Sequence, residues 1–353
     1  MNLMSKNILM LSILMLIFLS TLNAQVQAIN EEKYVLIGGI EQWITIKGND
    51  LSKPVILFLH GGPGSPTSPY SDAVFGDWEK DFTMVHWDQR GTARTFGRNA
   101  PEEVDEEYWI ENPLTVEQMT ADGIEVSEYL IEKLGKQKII IAGSSWGSVL
   151  GVAMAIKRPD IFYAYVGHSQ LVNPGEDFIQ VYHKIFKMAL EKNDQESIKL
   201  LETLGPPPYD NAKKTGQLMR VIKKYERENS IPAPESWWKM APEYENEVDS
   251  KHRYNGDDYS FIHYAGHKAL GIKPISSTIN LMEEGLNFTI PIYLIQGQED
   301  LLTPLEITQP YFNKINSPDK ELYILPGAAH GFNQSVVDTH YKILMEKILP
   351  LTK

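Results

Sequence analysis

The chain alternates between short strand-like apolar runs and longer stretches in which apolar residues recur every three or four positions. Residues 54–59, 82–87, 138–142, 163–166, 292–296 and 321–325 are of the first kind. The first of them, Pro54-Val55-Ile56-Leu57-Phe58-Leu59, is apolar throughout. A run without polar alternation suits a strand covered on both faces, as in a parallel sheet. Ahead of it, residues 33–36 and 43–46 flank Gly38-Gly39 and predict a leading antiparallel pair. Residues 115–134 place Val116, Met119, Ile124, Leu130, Ile131 and Leu134 at helical spacing, with Gly135 as a C-terminal stop. Further helices are predicted over 146–157, stopped by Pro159, and over 335–348. Strands and helices alternating through short connections predict an α/β fold with a mostly parallel central sheet flanked by helices.

That rhythm breaks over residues 171–287, which are rich in Lys, Glu, Tyr and Trp, carry the triple proline 206–208 and show helix-type patterns. The chain therefore reads as a core of residues 29–170 and 288–353 with a helical cap inserted at 171–287. The N-terminus reads differently again. Lys6, an apolar run over 8–20 and the small-residue exits Leu22-Asn23-Ala24 and Val26-Gln27-Ala28 predict a signal peptide over 1–28. The run is shorter than the ~20 residues of a spanning helix, so the expectation is an exported chain with no membrane insertion after cleavage. The formal charge of −13 weighs against nucleic-acid binding through a basic patch. With no cysteine, neither a disulfide nor a thiolate metal site can form, and export is chemically comfortable.

Three segments carry chemistry. Gly143-Ser144-Ser145-Trp146-Gly147 follows the strand 138–142 and precedes the helix 146–157, so Ser145 sits on a tight strand-to-helix turn. Glycines flank such a serine because a Cβ there would collide with neighbouring backbone, and the helix start directs N–H groups toward developing negative charge. Ser144, the rival serine, lacks the glycine spacing. His60-Gly61-Gly62-Pro63-Gly64 follows the strand 54–59 and suits an oxyanion loop, with the amides of Gly62 and Trp146 as donors and His60 as a loop-stabilising residue. On this kind of sheet the order is serine, acid, base. Asp300, after the strand 292–296, is then the acid, and His330, in the loop before the last helix, is the base. Glu299 beside Asp300 reads as a solvated loop charge, and His340 as a packing or surface residue.

His60-Gly61-Gly62-Pro63-Gly64, Trp87-Asp88-Gln89-Arg90-Gly91 and Gly143-Ser144-Ser145-Trp146-Gly147 together resemble the proline iminopeptidase (prolyl aminopeptidase) branch of the α/β-hydrolases over about residues 33–170 and 288–353. The resemblance implies an α/β-hydrolase fold with a helical cap, no metal and no organic cofactor. It also implies hydrolysis through an acyl-enzyme that releases an N-terminal residue from a peptide. Asp88 and Arg90 would then support the loops around the oxyanion site. One departure bears on specificity, because Trp237-Trp238-Lys239-Met240 and Phe261-Ile262-His263-Tyr264 lack the family's amine-gripping glutamates. Glu235, Glu243, Glu245 and Glu247 are nearby, with Glu243 and Glu245 as the substrate-binding candidates. A carboxylesterase or amidase acting on small acyl compounds is the alternative. A non-catalytic binding protein is the third reading, and a dehalogenase or epoxide hydrolase would need a carboxylate where Ser145 stands.

Overall fold

Each apolar run forms a strand, and the eight strands join in one sheet. They are β1 (Ile29–Ile37), β2 (Ile40–Gly48), β3 (Val55–Leu59), β4 (Thr83–Trp87), β5 (Ile139–Ser144), β6 (Phe162–His168), β7 (Ile292–Gly297) and β8 (Lys320–Leu325). Their order is β1-β2-β4-β3-β5-β6-β7-β8. The computed structural model describes residues 27–353, so the predicted leader lies, but for its last two residues, outside the described residues. β1 and β2 form an antiparallel hairpin turning at Gly38 and Gly39, both with positive φ, and β2 pairs antiparallel with β4. All remaining pairs are parallel.

The lack of polar alternation has a direct cause. β3, β4, β5 and β7 are buried at every position because helices cover both faces. The pleat sends Val55, Leu57 and Leu59 to a core shared with α1 (Val116–Leu134) and α2 (Trp146–Lys157). It sends Ile56 and Phe58 to a second core with Trp78, Val336 and Val337, the last two on the helix Gln334–Ile343. Thr115 caps α1 by accepting from the Gln118 amide at 3.1 Å, and Gly135 ends it in the left-handed conformation. A Cβ on Gly151 would stand 2.4 Å from the Tyr165 ring, so α2 lies as close to β6 as a bare Cα allows.

Between β6 and β7 the chain is helical, with α3 (Pro174–Glu191), α4 (Gln195–Leu204), α5 (Ala212–Asn229) and α6 (Glu247–Ala265). Phe178, Val181, Ile185, Leu201, Leu218, Ile222 and Tyr225 give this insertion a core of its own. Arg94 fastens it to the sheet. Its guanidinium makes two 2.8 Å bonds to Asp249, donates to the Glu243 carbonyl at 2.7 Å and lies over the Trp43 and Tyr244 rings. Among the described residues no helix is long and apolar enough to cross a membrane.

Beneath the sheet's second face, His86, His168 and His340 pack among Phe58, Phe75, Trp78 and Phe332. Among the described residues, neither ring nitrogen of His340 has a hydrogen-bond partner. Burial pushes His86 and His340 down to about 3. Below the ordinary histidine pKa of roughly 6.5 the unfolded chain takes up protons that the folded chain refuses. The stability contributed by these neutral rings is therefore full above that pH and lost as pH falls toward 3. We expect His340→Leu to flatten the fall in unfolding free energy between pH 7.5 and 5 by up to about 1.4 kcal/mol per pH unit. Urea titrations at several pH values check this, and equal slopes for variant and parent would refute it.

Candidate active site

Ser145 links β5 to α2 with φ 52° and ψ −119°, a left-handed conformation that costs a non-glycine residue roughly 1–3 kcal/mol. The surroundings enforce it. A Cβ on Gly143 would lie 2.4 Å from the Gly147 carbonyl oxygen, and one on Gly147 would lie 2.0 Å from the Leu59 carbonyl oxygen. The turn is thus wedged against the end of β3, with Ser145 at its apex. Ser144 points the other way, 6% exposed, with its hydroxyl 3.0 Å from His168 Nδ1.

His330 Nε2 stands 2.9 Å from Ser145 Oγ. On its other side, His330 Nδ1 is 3.1 and 3.2 Å from the two Asp300 oxygens. Nδ1–H therefore donates to Asp300 and leaves the Nε2 lone pair facing the serine hydroxyl. Asp300 is buried at the end of β7 and also accepts from the Leu302 amide, the Thr303 amide and the Thr303 hydroxyl. Burial would raise its pKa, but the His330 charge and these donors outweigh it and hold the carboxyl below its ordinary value. Burial would likewise lower the His330 pKa. Asp300, and after it Glu226, reverse that and hold the imidazole above its ordinary value.

The loop after β3 meets this group from the other side. Gly61 packs on the serine, since a Cβ there would lie 3.2 Å from Ser145 Cβ. Within the described residues the amides of Gly62 and Trp146 have no acceptor. His60 is buried, pushed down to about 4, and donates from Nδ1 to the Gly61 carbonyl at 2.8 Å while Nε2 accepts the Gln89 amide. Asp88 is buried beside it, pushed up to about 7, accepting from the Ser68 hydroxyl and the Arg94 amide.

Arg90 lies elsewhere than the sequence suggested. It pairs with Asp122 at 2.7 Å and donates to the Gly38 carbonyl, so it braces the β1–β2 turn. The residue that braces the oxyanion loop is its neighbour Gln89. Its amide nitrogen donates to the His60 carbonyl at 2.9 Å, and its oxygen accepts the Trp146 indole N–H at 3.1 Å. One side chain thus spans the loop after β3 and the turn after β5.

Glu243 and Glu245 are exposed on a turn held by Tyr244 to Trp43 and by the Glu243 carbonyl to Arg94. Among the described residues neither hydrogen-bonds to Ser145, Asp300 or His330, and the Glu243 carbonyl accepts from Arg94 and Asn246. The acids of the insertion that approach the group are two others. Glu226, buried on α5, accepts the Leu301 and Leu302 amides at 2.9 and 3.2 Å. Asp257, on α6, accepts from the Ser65 hydroxyl at 3.3 Å, and a Cβ on Gly64 would stand 2.5 Å from its Cα. No motif marks Glu226, but it falls on the buried Leu218–Ile222 stripe of α5, and an acid on such a stripe is a readable signal. Among the described residues no group of three or more metal-ligating side chains is arranged to hold an ion.

Comparison with known proteins agrees with this architecture. The chain is 28% identical over 305 residues to the probable aminopeptidase YbaC of Bacillus subtilis, covering 84% of this chain and 90% of that one. It is 26% identical over 329 residues to the proline iminopeptidase of Neisseria meningitidis serogroup A, covering 86% and 91%. Among solved structures, the proline iminopeptidase of Mycobacterium smegmatis superposes with a TM-score of 0.63 at 15% identity, over 91% of this chain and 99% of that one. Residues 54–333 match the α/β hydrolase fold family. The chain belongs to that family.

Proposed function

We propose that the chain is a serine hydrolase acting through an acyl-enzyme to release N-terminal residues from short peptides. The observation that carries the reading is the hydrogen-bonded series Ser145 Oγ, His330 Nε2, His330 Nδ1, Asp300. In this reading His330 takes the Ser145 proton as Oγ attacks the scissile carbonyl, and the oxyanion accepts from the Gly62 and Trp146 amides. The charged imidazole, stabilised by Asp300, then protonates the leaving amine. Water attacks the acyl-enzyme with His330 again as base, and the acid departs. The relatives named aminopeptidase and proline iminopeptidase support the peptide substrate.

The exposed positions of Glu243 and Glu245 favour a second reading, a carboxylesterase or amidase that does not require a free amine. A prolyl anilide, its N-acetyl form and a simple nitrophenyl ester separate the two. Acetylation is expected to reduce kcat/KM at least tenfold; equal turnover of blocked and free anilides would favour the esterase.

Ser145→Ala is expected to lower kcat by about 10⁴-fold or more while leaving the fold intact. Retained labelling by a fluorophosphonate probe in that variant would contradict the assignment. His330 must be neutral to act, so activity is expected to rise with pH on a limb above its ordinary pKa. Glu226→Gln removes a charge that favours the imidazolium and should move that limb to lower pH; an unmoved limb would exclude the coupling. Glu226→Ala also strands the Leu301 amide, while the Leu302 amide keeps Asp300, and should cost about 1–3 kcal/mol of stability by urea titration.

A further inference from the structure

Where β6 runs out, the dipeptide His168-Ser169 touches each part of the site. The Ser145 amide donates to the His168 carbonyl at 3.0 Å, and the Ser169 amide donates at 3.1 Å to the carbonyl of Ile295 on β7. The Ser169 hydroxyl lies 3.2 Å from the His330 carbonyl oxygen. Among the described residues, that is the only hydrogen bond made to the backbone of residues 329–332. Side chains hold the rest of this loop. His330 bonds to Asp300, and the Phe332 ring packs 4.8 Å from the His168 ring. Ser169 is buried and holds φ 50°, a left-handed conformation that strains a serine and suits a glycine. Such strain points to the hydroxyl as the reason a serine stands there.

Neighbouring groups settle which way that hydroxyl points. His168 Nδ1 lies 3.0 Å from the Ser144 hydroxyl, and Nε2 lies 3.2 Å from the Ser169 hydroxyl. Burial holds the His168 pKa well below its ordinary value, so the ring is neutral, with one N–H and one lone pair. A carbonyl can only accept, so the single Ser169 proton goes to His330. Nε2–H then donates to Ser169, and Nδ1 accepts from Ser144. The opposite polarity would set a serine lone pair against the His330 carbonyl and leave the Ser144 proton without an acceptor among the described residues. Only one direction therefore satisfies all three contacts. It runs from Ser144, beside the nucleophile, through His168 and Ser169 to the backbone of His330.

We infer that Ser169, its hydroxyl aimed by His168, is a positioning residue that fixes the His330 backbone and with it the reach of Nε2 to Ser145 Oγ. The inference rests on the serine hydrolase reading, and the test keeps the two apart. Ser169→Ala and Ser169→Gly both remove the hydroxyl, but glycine adopts the positive φ without strain. Both variants should lower kcat and the rate of fluorophosphonate labelling of Ser145 about 10- to 100-fold, with KM within about twofold, because the hydroxyl acts through the base. The glycine variant should keep a urea midpoint at or above that of the parent. A normal kcat in the glycine variant, or a rise in KM without a fall in kcat, would overturn the assignment. If the parent neither labels nor turns over substrate, the hydrolase reading fails first. Proton and nitrogen spectra of histidine-labelled protein then decide the positioning role. The His330 Nδ1 proton should be resolved in the parent and broadened by solvent exchange in both variants; an unchanged signal overturns it. The same spectra should show His168 as the Nε2–H tautomer, and the Nδ1–H tautomer would overturn the chain of bonds.

Discussion

The site depends on one close approach, that of the Gly147 Cα to the backbone at the end of β3. With only 2.0 Å between the Leu59 carbonyl oxygen and the place where a Cβ would sit, α2 can start there only on a bare residue. This contact fixes where α2 begins, and so where the Trp146 amide lies relative to the loop His60–Gly64. It also leaves Ser145 no extended conformation, which is why a non-glycine residue holds φ 52°. The order β4-β3-β5 makes the contact possible. The chain leaves β3 toward β4 on one side and returns to β5 on the other, so the loop after β3 and the turn after β5 open over one crevice.

Much of this could be read along the chain because burial on both faces removes ambiguity. β3, β5 and β7 admit almost no polar residue, so each announced itself as an apolar run; Ser145 and Asp300 follow the ends of β5 and β7, and His330 follows the partly exposed edge strand β8. The glycines were legible for the same reason, since each marks a place where backbone meets backbone. Side-chain bridges were not. Arg90 and Gln89 are adjacent and both polar, and only the turn of the chain after β4 decides that the arginine reaches Gly38 and Asp122 while the amide reaches His60 and Trp146. Glu243 and Glu245 illustrate the same limit in the insertion. Their acidity was visible, but Arg94 stacked on Trp43 and Tyr244 turns that segment to solvent.

The insertion touches the core at a few points with different physics. Arg94 and Asp249 make a bidentate, partly buried ion pair far along the chain from the triad, which fixes α6 in place. Glu226 makes a softer contact, accepting two amides of the loop that carries Asp300. Its charge is expensive to bury, and burial followed by the nearby Asp300 raises its pKa. The imidazole of His330 works against that rise. α5 and the loop after β7 are therefore linked by charge as well as by packing, and a movement of the helix would be felt at the base.

Two buried carboxylates near the site show how environment divides one chemistry into two. Asp88 and Asp300 are both almost wholly out of water. Asp88 accepts from a hydroxyl and one amide and, among the described residues, has no ion pair, so burial dominates and its pKa is pushed up to about 7. Asp300 accepts from two amides, a hydroxyl and an imidazole that can itself become charged, and its pKa falls. A carboxyl that protonates easily serves as a bracing group, because it can donate or accept without leaving an isolated charge in the core. A carboxyl that stays ionised is what an imidazole needs beside it when it takes up a proton. The difference comes first from the His330 charge beside Asp300 and then from the donors each loop supplies: the turn after β7 curls Leu302 and Thr303 back onto the acid, whereas the segment after β4 runs on past Asp88 to serve the hairpin and the insertion.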